Sequence, residues 1–151
     1  MEIIGNTITI NGISITMGMS YSDAQAALSN SIYISIDPNE NGTGSIVIKH
    51  QEFYRCKGTC SLYFDNNVLA TIGITIDWGM YNTDQESFLF SKNIDEAIAF
   101  IAKQTEDELS RSFQKVEITK YGNTVFASDQ FCIISTISRD LEHYSVIIRA
   151  A

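Results

Sequence analysis

The stretch Val68-Leu69-Ala70-Thr71-Ile72-Gly73-Ile74-Thr75-Ile76-Asp77 sets Val68, Ala70, Ile72, Ile74 and Ile76 against Leu69, Thr71, Gly73 and Thr75. A period of two held over ten residues is the pattern of a β-strand with one buried and one exposed face. A sheet is therefore the frame of the fold, and the neighbouring segments read as its other strands.

Upstream, Asp65-Asn66-Asn67 is a turn, and two strands precede it, Ser45 to Cys56 and Thr59 to Phe64, joined tightly around Lys57-Gly58. Pro38 to Gly44 is a turn cluster. Ser31 to Asp37 alternates with Ile32, Ile34 and Ile36 on one face and Tyr33 on the other. Ser20 to Asp23 forms a helix-capping signature, and Ala24, Ala27 and Leu28 follow at helical spacing to about Asn30. Closest to the N-terminus, Asn11-Gly12 lies between Thr7–Ile10 and Ile13–Thr16. Both turn residues tolerate positive φ, so the pair predicts a two-residue hairpin.

Downstream, Asp77 to Glu86 reads as a loop and Ser87 to Ser91 as a short strand. Asn93 to Glu96 caps a long helix whose buried stripe is Ile94, Ala97, Ile98, Ile101 and Ala102, extended by Leu109 and Phe113. Four more strands follow: Lys115 to Thr119, Thr124 to Ala127, Phe131 to Ile137 and Tyr144 to Arg149. The expected fold is α+β, a mainly antiparallel sheet with two helices packed on one face. Helix followed by four strands occurs twice, which suggests αββββ halves at 1–86 and 87–151 inside a single domain, 1–151.

A net charge of −8 over 151 residues is unevenly spread. Met1 to Ile48 contains no Lys or Arg. Between Asp65 and Glu108 nine acids face only Lys92 and Lys103, a local charge of −7. Such a field repels nucleic acid and anionic membrane and speeds encounter with a basic protein, or it serves solubility alone. The N-terminus has no basic-then-apolar leader, no apolar run reaches ~20 residues, and the three cysteines are an odd number. A reduced, cytoplasmic protein is expected.

Chemical signatures are sparse. Cys56 and Cys60 flank the expected turn without the further ligands zinc needs, and a cross-strand disulfide is disfavoured in a reducing compartment. Cys132, His143 and Asp140 make the one imaginable nucleophilic set, but Cys132 sits within an apolar alternation. Glu106-Asp107-Glu108 reads as a solvated helix face rather than a cation site. No enzyme, cofactor or metal centre is expected. Trp78 and Tyr81, beside Asp77, Asp84 and Glu86, have two readings: anchors of a protein-binding loop, or side chains filling core beneath it. With Asp65, Asp107 and Glu108, these residues are the candidate partner-binding set.

The run Met17-Gly18-Met19-Ser20-Tyr21-Ser22-Asp23-Ala24-Gln25-Ala26-Ala27-Leu28, with Tyr63-Phe64-Asp65-Asn66-Asn67-Val68-Leu69, resembles the helix and hairpin of the β-lactamase-inhibitor-protein and small outer-membrane lipoprotein group. The lipobox cysteine is missing. The resemblance covers about half the chain and implies helices on one face of an antiparallel sheet, with the other face or the loops used as an inhibitory protein-binding surface. In size and acidity the chain also looks like bacterial immunity proteins. The expected function is thus a non-enzymatic module, monomer or homodimer, that neutralises a basic, nuclease-type toxin domain. The alternatives are a secretion chaperone for an effector segment, or a small-ligand domain with a pocket lined by Tyr54, Tyr63 and Phe131.

Overall fold

The computed structural model describes residues 1–53, 56–77, 94–120, 122–137 and 143–151. The chain opens with a small sheet of β1 (Glu2–Ile4), β2 (Thr7–Ile10) and β3 (Ile13–Thr16), in that spatial order. Asn11 and Gly12 take φ of 49° and 79° between β2 and β3, the left-handed pair expected of this hairpin. Ile10 opposes Ile13 and Ile8 opposes Ile15, so the apolar residues share a face. Helix α1 (Tyr21–Ala27) follows, capped by Ser20, whose hydroxyl accepts the Asp23 N–H at 3.1 Å. It is shorter than its periodicity suggests, ending at the Leu28 cap.

The remaining strands form one eight-stranded antiparallel sheet. Strands β4 (Ile34–Ile36), β5 (Gly44–Phe53), β6 (Cys56–Asp65) and β7 (Val68–Asp77) make one meander. After helix α2 (Ile94–Ser112), strands β8 (Gln114–Ile118), β9 (Thr124–Ala127), β10 (Phe131–Ile137) and β11 (His143–Ala150) make a second. The spatial order is β4-β5-β6-β7-β11-β10-β9-β8, so the two meanders meet through their last strands. Each helix precedes one meander, and the strand order reads alike from either edge. Lys57-Gly58 is not the turn expected of it. Both residues lie inside β6, paired with Glu52 and Gln51, and the pairing continues to Phe53 opposite Cys56.

Alternation sorts the sheet into two faces. Ile46, Ile48, Cys60, Leu62, Phe64, Ile72, Ile74, Ile76, Phe126, Ile133, Tyr144, Val146 and Ile148 are buried on one. Both helices and the small sheet cover that face. Tyr21 of α1 meets Phe64 edge-on at 5.1 Å, and Ile98, Ile101, Ala102 and Leu109 of α2 join the same core. The turns at one end interlock: Gly42, at φ +70°, accepts the Asn67 N–H at 3.0 Å, and a Cβ on Gly42 would stand 2.4 Å from that nitrogen.

Adjacent positions of β7 should respond oppositely to substitution. Ile72→Ala empties a fully buried site and lowers unfolding free energy by about 2–5 kcal/mol. At Gly73 a Cβ would meet only Tyr63 Cε2, at an ordinary 3.5 Å, so Gly73→Ala shifts it by about 1 kcal/mol or less. Urea-unfolding midpoints measure both.

Candidate functional site

The face turned away from the helices is the part of the sheet that no described element covers. Register fixes its composition. One row across it runs Val47, Ser61, Gly73, Ile147, Ile134, Val125, and the next runs Ser45, Tyr63, Thr71, Arg149, Cys132, Ala127. Thr75 and Ser145 lie opposite each other in a third, hydroxyl oxygens 3.3 Å apart. Small hydroxyl and aliphatic side chains therefore dominate. Gly73, lacking a side chain, leaves a dent of about 360 Å³ walled by Tyr63, Ile147 and Arg149. Tyr63 stands 49% exposed at its edge.

In a chain of −8 the described side chains of this face include little acid. Among the described side chains of its inner strands the charged ones are Lys49 and Arg149, both exposed, with Asp65 and Glu117 at the margin. Four exposed acids stand at one end of the sheet. Asp37 and Glu40 in the β4–β5 turn, Asp65 at the β6–β7 turn and Asp129 in the β9–β10 turn are all exposed there. Strand pairing puts these turns at one end of the sheet, since Gly44 pairs with Phe64 and Phe131 with Ala150 there. Of the four, Asp65 alone belongs to the candidate set. The others sit too far apart in sequence to be grouped without the topology; their one sequence signal is that each lies in a turn.

The expected partner-binding set does not come together as one patch. Asp65, the last residue of β6, pairs with Val68 at one end of β7, and Asp77 closes the other end, about 30 Å away at ~3.3 Å per residue over ten residues. Trp78, Tyr81, Asp84 and Glu86 lie outside the described residues, as does the expected strand Ser87–Ser91. Asp107 and Glu108 are on α2, across the core from the open face, and are not free carboxylates. Lys103 donates to Asp107 at 2.8 Å, one helical turn away, and Arg111 pairs with Glu108. The bond to Asp107 holds the Lys103 ammonium above its ordinary value.

Glu106 has a role the sequence reading did not separate from its neighbours. Its Oε1 accepts the Ser135 hydroxyl at 2.7 Å, and Ser135 lies 2.8 Å from the Tyr144 hydroxyl. Ser135 is 3% exposed and Tyr144 fully buried, so the chain Glu106–Ser135–Tyr144 ties α2 to β10 and β11. A serine at a buried strand position, opposite a helix acid, is the only sequence trace of it.

Candidate chemistry is likewise dispersed. Cys132 opposes Arg149, whereas His143 begins β11 at its other end, about 20 Å along the strand. Asp140 and Tyr54 lie outside the described residues. Tyr63 is on the open face and Phe131, 1% exposed, on the covered one, so they cannot wall one ligand pocket. Cys56 and Cys60 occupy the same strand four residues apart, about 13 Å, beyond disulfide reach. Among the described residues no group of three His, Cys, Asp or Glu converges for a metal ion, and no helix is long and apolar enough to cross a membrane.

Two outcomes follow. Ser135→Ala, which removes the hydroxyl between Glu106 and Tyr144, costs about 1–3 kcal/mol in denaturant unfolding. Burial pushes the Cys60 thiol up to about 12 from 9.0. The unfolded thiol ionises first, so this contribution to stability is full below pH 9 and lost as pH rises toward 12. In Cys132→Ser/Cys56→Ser protein at pH 8, labelling of Cys60 by a disulfide reagent should therefore wait on global unfolding.

Compared with known proteins, the chain matches no family model, no curated protein and no solved structure.

Proposed function

We propose that this protein is a non-enzymatic protein-binding module that docks a basic protein domain on the open face of its large sheet, acting as a cytoplasmic immunity protein against a nuclease-type toxin. One observation carries the reading: a sheet face that no described element covers, low in charge among its described side chains, with a dent at Gly73 and an acidic end formed by Asp37, Glu40, Asp65 and Asp129. Flat surfaces of hydroxyl and aliphatic side chains around an exposed tyrosine suit a protein interface core, where charge is depleted and aromatics are enriched. The acidic end supplies steering. Carboxylates at an interface margin raise the association rate of a basic partner without the desolvation that buried ones would incur.

Neutralisation follows by occlusion. A domain seated across the face, its basic nucleic-acid cleft turned to the acidic end, has its substrate excluded. Trp78 and Tyr81, which follow the central strand β7 in the chain, are the proposed anchors beside it, with Asp77, Asp84 and Glu86.

Coexpression with the toxin domain of the effector encoded beside this gene should rescue growth. Gly73→Arg, which fills the dent at a position with room for a side chain, should abolish rescue; rescue that survives it overturns docking on this face. Glu40→Lys/Asp65→Lys/Asp129→Lys should slow association by about tenfold or more at low salt and converge with the native chain at high salt. Association indifferent to both salt and this variant overturns the charge steering.

A further inference from the structure

At the β4 margin of the large sheet the apolar pattern faces solvent. Ile32, Ile34 and Ile36 are 95%, 60% and 66% exposed, whereas Ile46, Ile48, Ile72, Ile74 and Ile76 of β5 and β7 are all at 2% or below. Register accounts for the difference: Ile34 opposes Val47 and Ile36 opposes Ser45, on the open face. Beside them lies a groove of about 820 Å³, walled by Ile34, Val47, Lys49 and Gln51 from the sheet and by Ile13 and Ile32 from the small hairpin and the segment after α1.

The groove borders an unfinished strand edge. β5 is ten residues long but pairs with β4 only through Ser45–Val47, so from Lys49 onward no strand lies on that side among the described residues. There the Lys49 carbonyl accepts from the side-chain Nε2 of Gln51 at 3.2 Å, a main-chain acceptor served by a side chain. The hairpin tip reaches this stretch by its side chain, Asn11 Nδ2 donating to Gln51 Oε1 at 3.1 Å, while no described strand lies beside the main chain; such an edge next to exposed apolar side chains is a template for another strand. Lys49 is also the one charged side chain lining the groove, in a chain of −8, and no described residue forms an ion pair with it.

We propose that this groove binds an extended segment of a partner protein that alternates apolar residues and carries an aspartate or glutamate, added alongside β5 beyond the end of β4. The segment's main chain completes the β5 edge, its apolar side chains cover Ile32 and Ile34, and its carboxylate meets Lys49. A second copy of this chain suits the groove poorly. Two copies at −8 repel, and the other sheet edge, β8, interleaves its exposed Val116 and Ile118 with Lys115, Glu117 and a bulge, devices that hinder strand addition. The site is independent of docking at Gly73.

The test pans a phage-displayed library of random dodecapeptides against the full chain and measures the enriched peptides, synthesised, by fluorescence polarisation. Enrichment of alternating apolar peptides bearing a carboxylate is expected, with affinity falling about tenfold or more for Lys49→Glu and lost for Ile34→Asp. Both side chains are exposed, so both variants keep the native fold. Panning on Lys49→Glu should instead enrich peptides bearing lysine or arginine. No enriched pattern, equal affinity for the native chain and Lys49→Glu, or a dimer in solution that Ile34→Asp dissociates would each overturn the proposal, the last by making a second copy the occupant.

Discussion

The pairing of β7 with β11 is the contact on which the rest of the structure depends. Seven residue pairs join the strands, and their alternation separates the two sides of the molecule. Ile72–Ile148, Ile74–Val146 and Ile76–Tyr144 meet on the covered face, every one of them at 2% exposure or less. Thr71–Arg149, Gly73–Ile147 and Thr75–Ser145 meet on the other. A slip of β11 by one residue against β7 would place Arg149 in the core and turn Tyr144, Val146 and Ile148 out of it, so burial on one face holds the register. That register joins two meanders into one sheet and gives both helices the same side to pack on.

From this follows the division of charge. A helix lying on a sheet must keep its outer stripe polar, and α2 does so with acids that its own Lys103 and Arg111 partly neutralise. The open face needs no such charge to stay wet, because its threonines, serines and short aliphatics leave main chain and hydroxyls accessible. Acids are displaced to the turns, and since alternate turns of a meander fall at the same end, those of β4–β5, β6–β7 and β9–β10 gather theirs into one border. The asymmetry between a quiet face and an acidic end thus comes from topology more than from any local run of sequence.

The elements were legible because each is set by short-range physics. Period two marked β7, β10 and β11, Asn11-Gly12 the first hairpin, and Ser20 the start of α1. What could not be read was anything requiring a partner. Ile32, Ile34 and Ile36 share a face, as their spacing demands, yet pairing with Val47 and Ser45 turns that face outward. Lys57-Gly58 resembled a turn because glycine and lysine are common there, but the buried alternation of Gly58, Cys60 and Leu62 carries β6 through it. Asp107 and Glu108 counted as free charge until their ion pairs were known. The candidate set was drawn from one acidic stretch, whereas the sheet collects its acidic border from three turns that the sequence keeps far apart.

The same logic separates the two candidate binding surfaces. Docking on the open face leaves every strand paired as it is and draws on area, the dent at Gly73 and charge at the border, so it suits a folded domain with a rigid surface. The β5 edge offers main-chain hydrogen bonds, a narrow apolar wall and a single cation, which only an extended chain can satisfy together. Exposed isoleucines at an edge are a liability that small proteins ordinarily blunt with charge, proline or a bulge, as β8 does with Lys115, Glu117 and its irregular register. At β4 the chain places Pro38 only after the strand has ended and puts no charge between Ser31 and Ile36. Both edges expose apolar side chains, Val116 and Ile118 on β8 as well as Ile34 and Ile36 on β4, but only β8 interleaves them with charge.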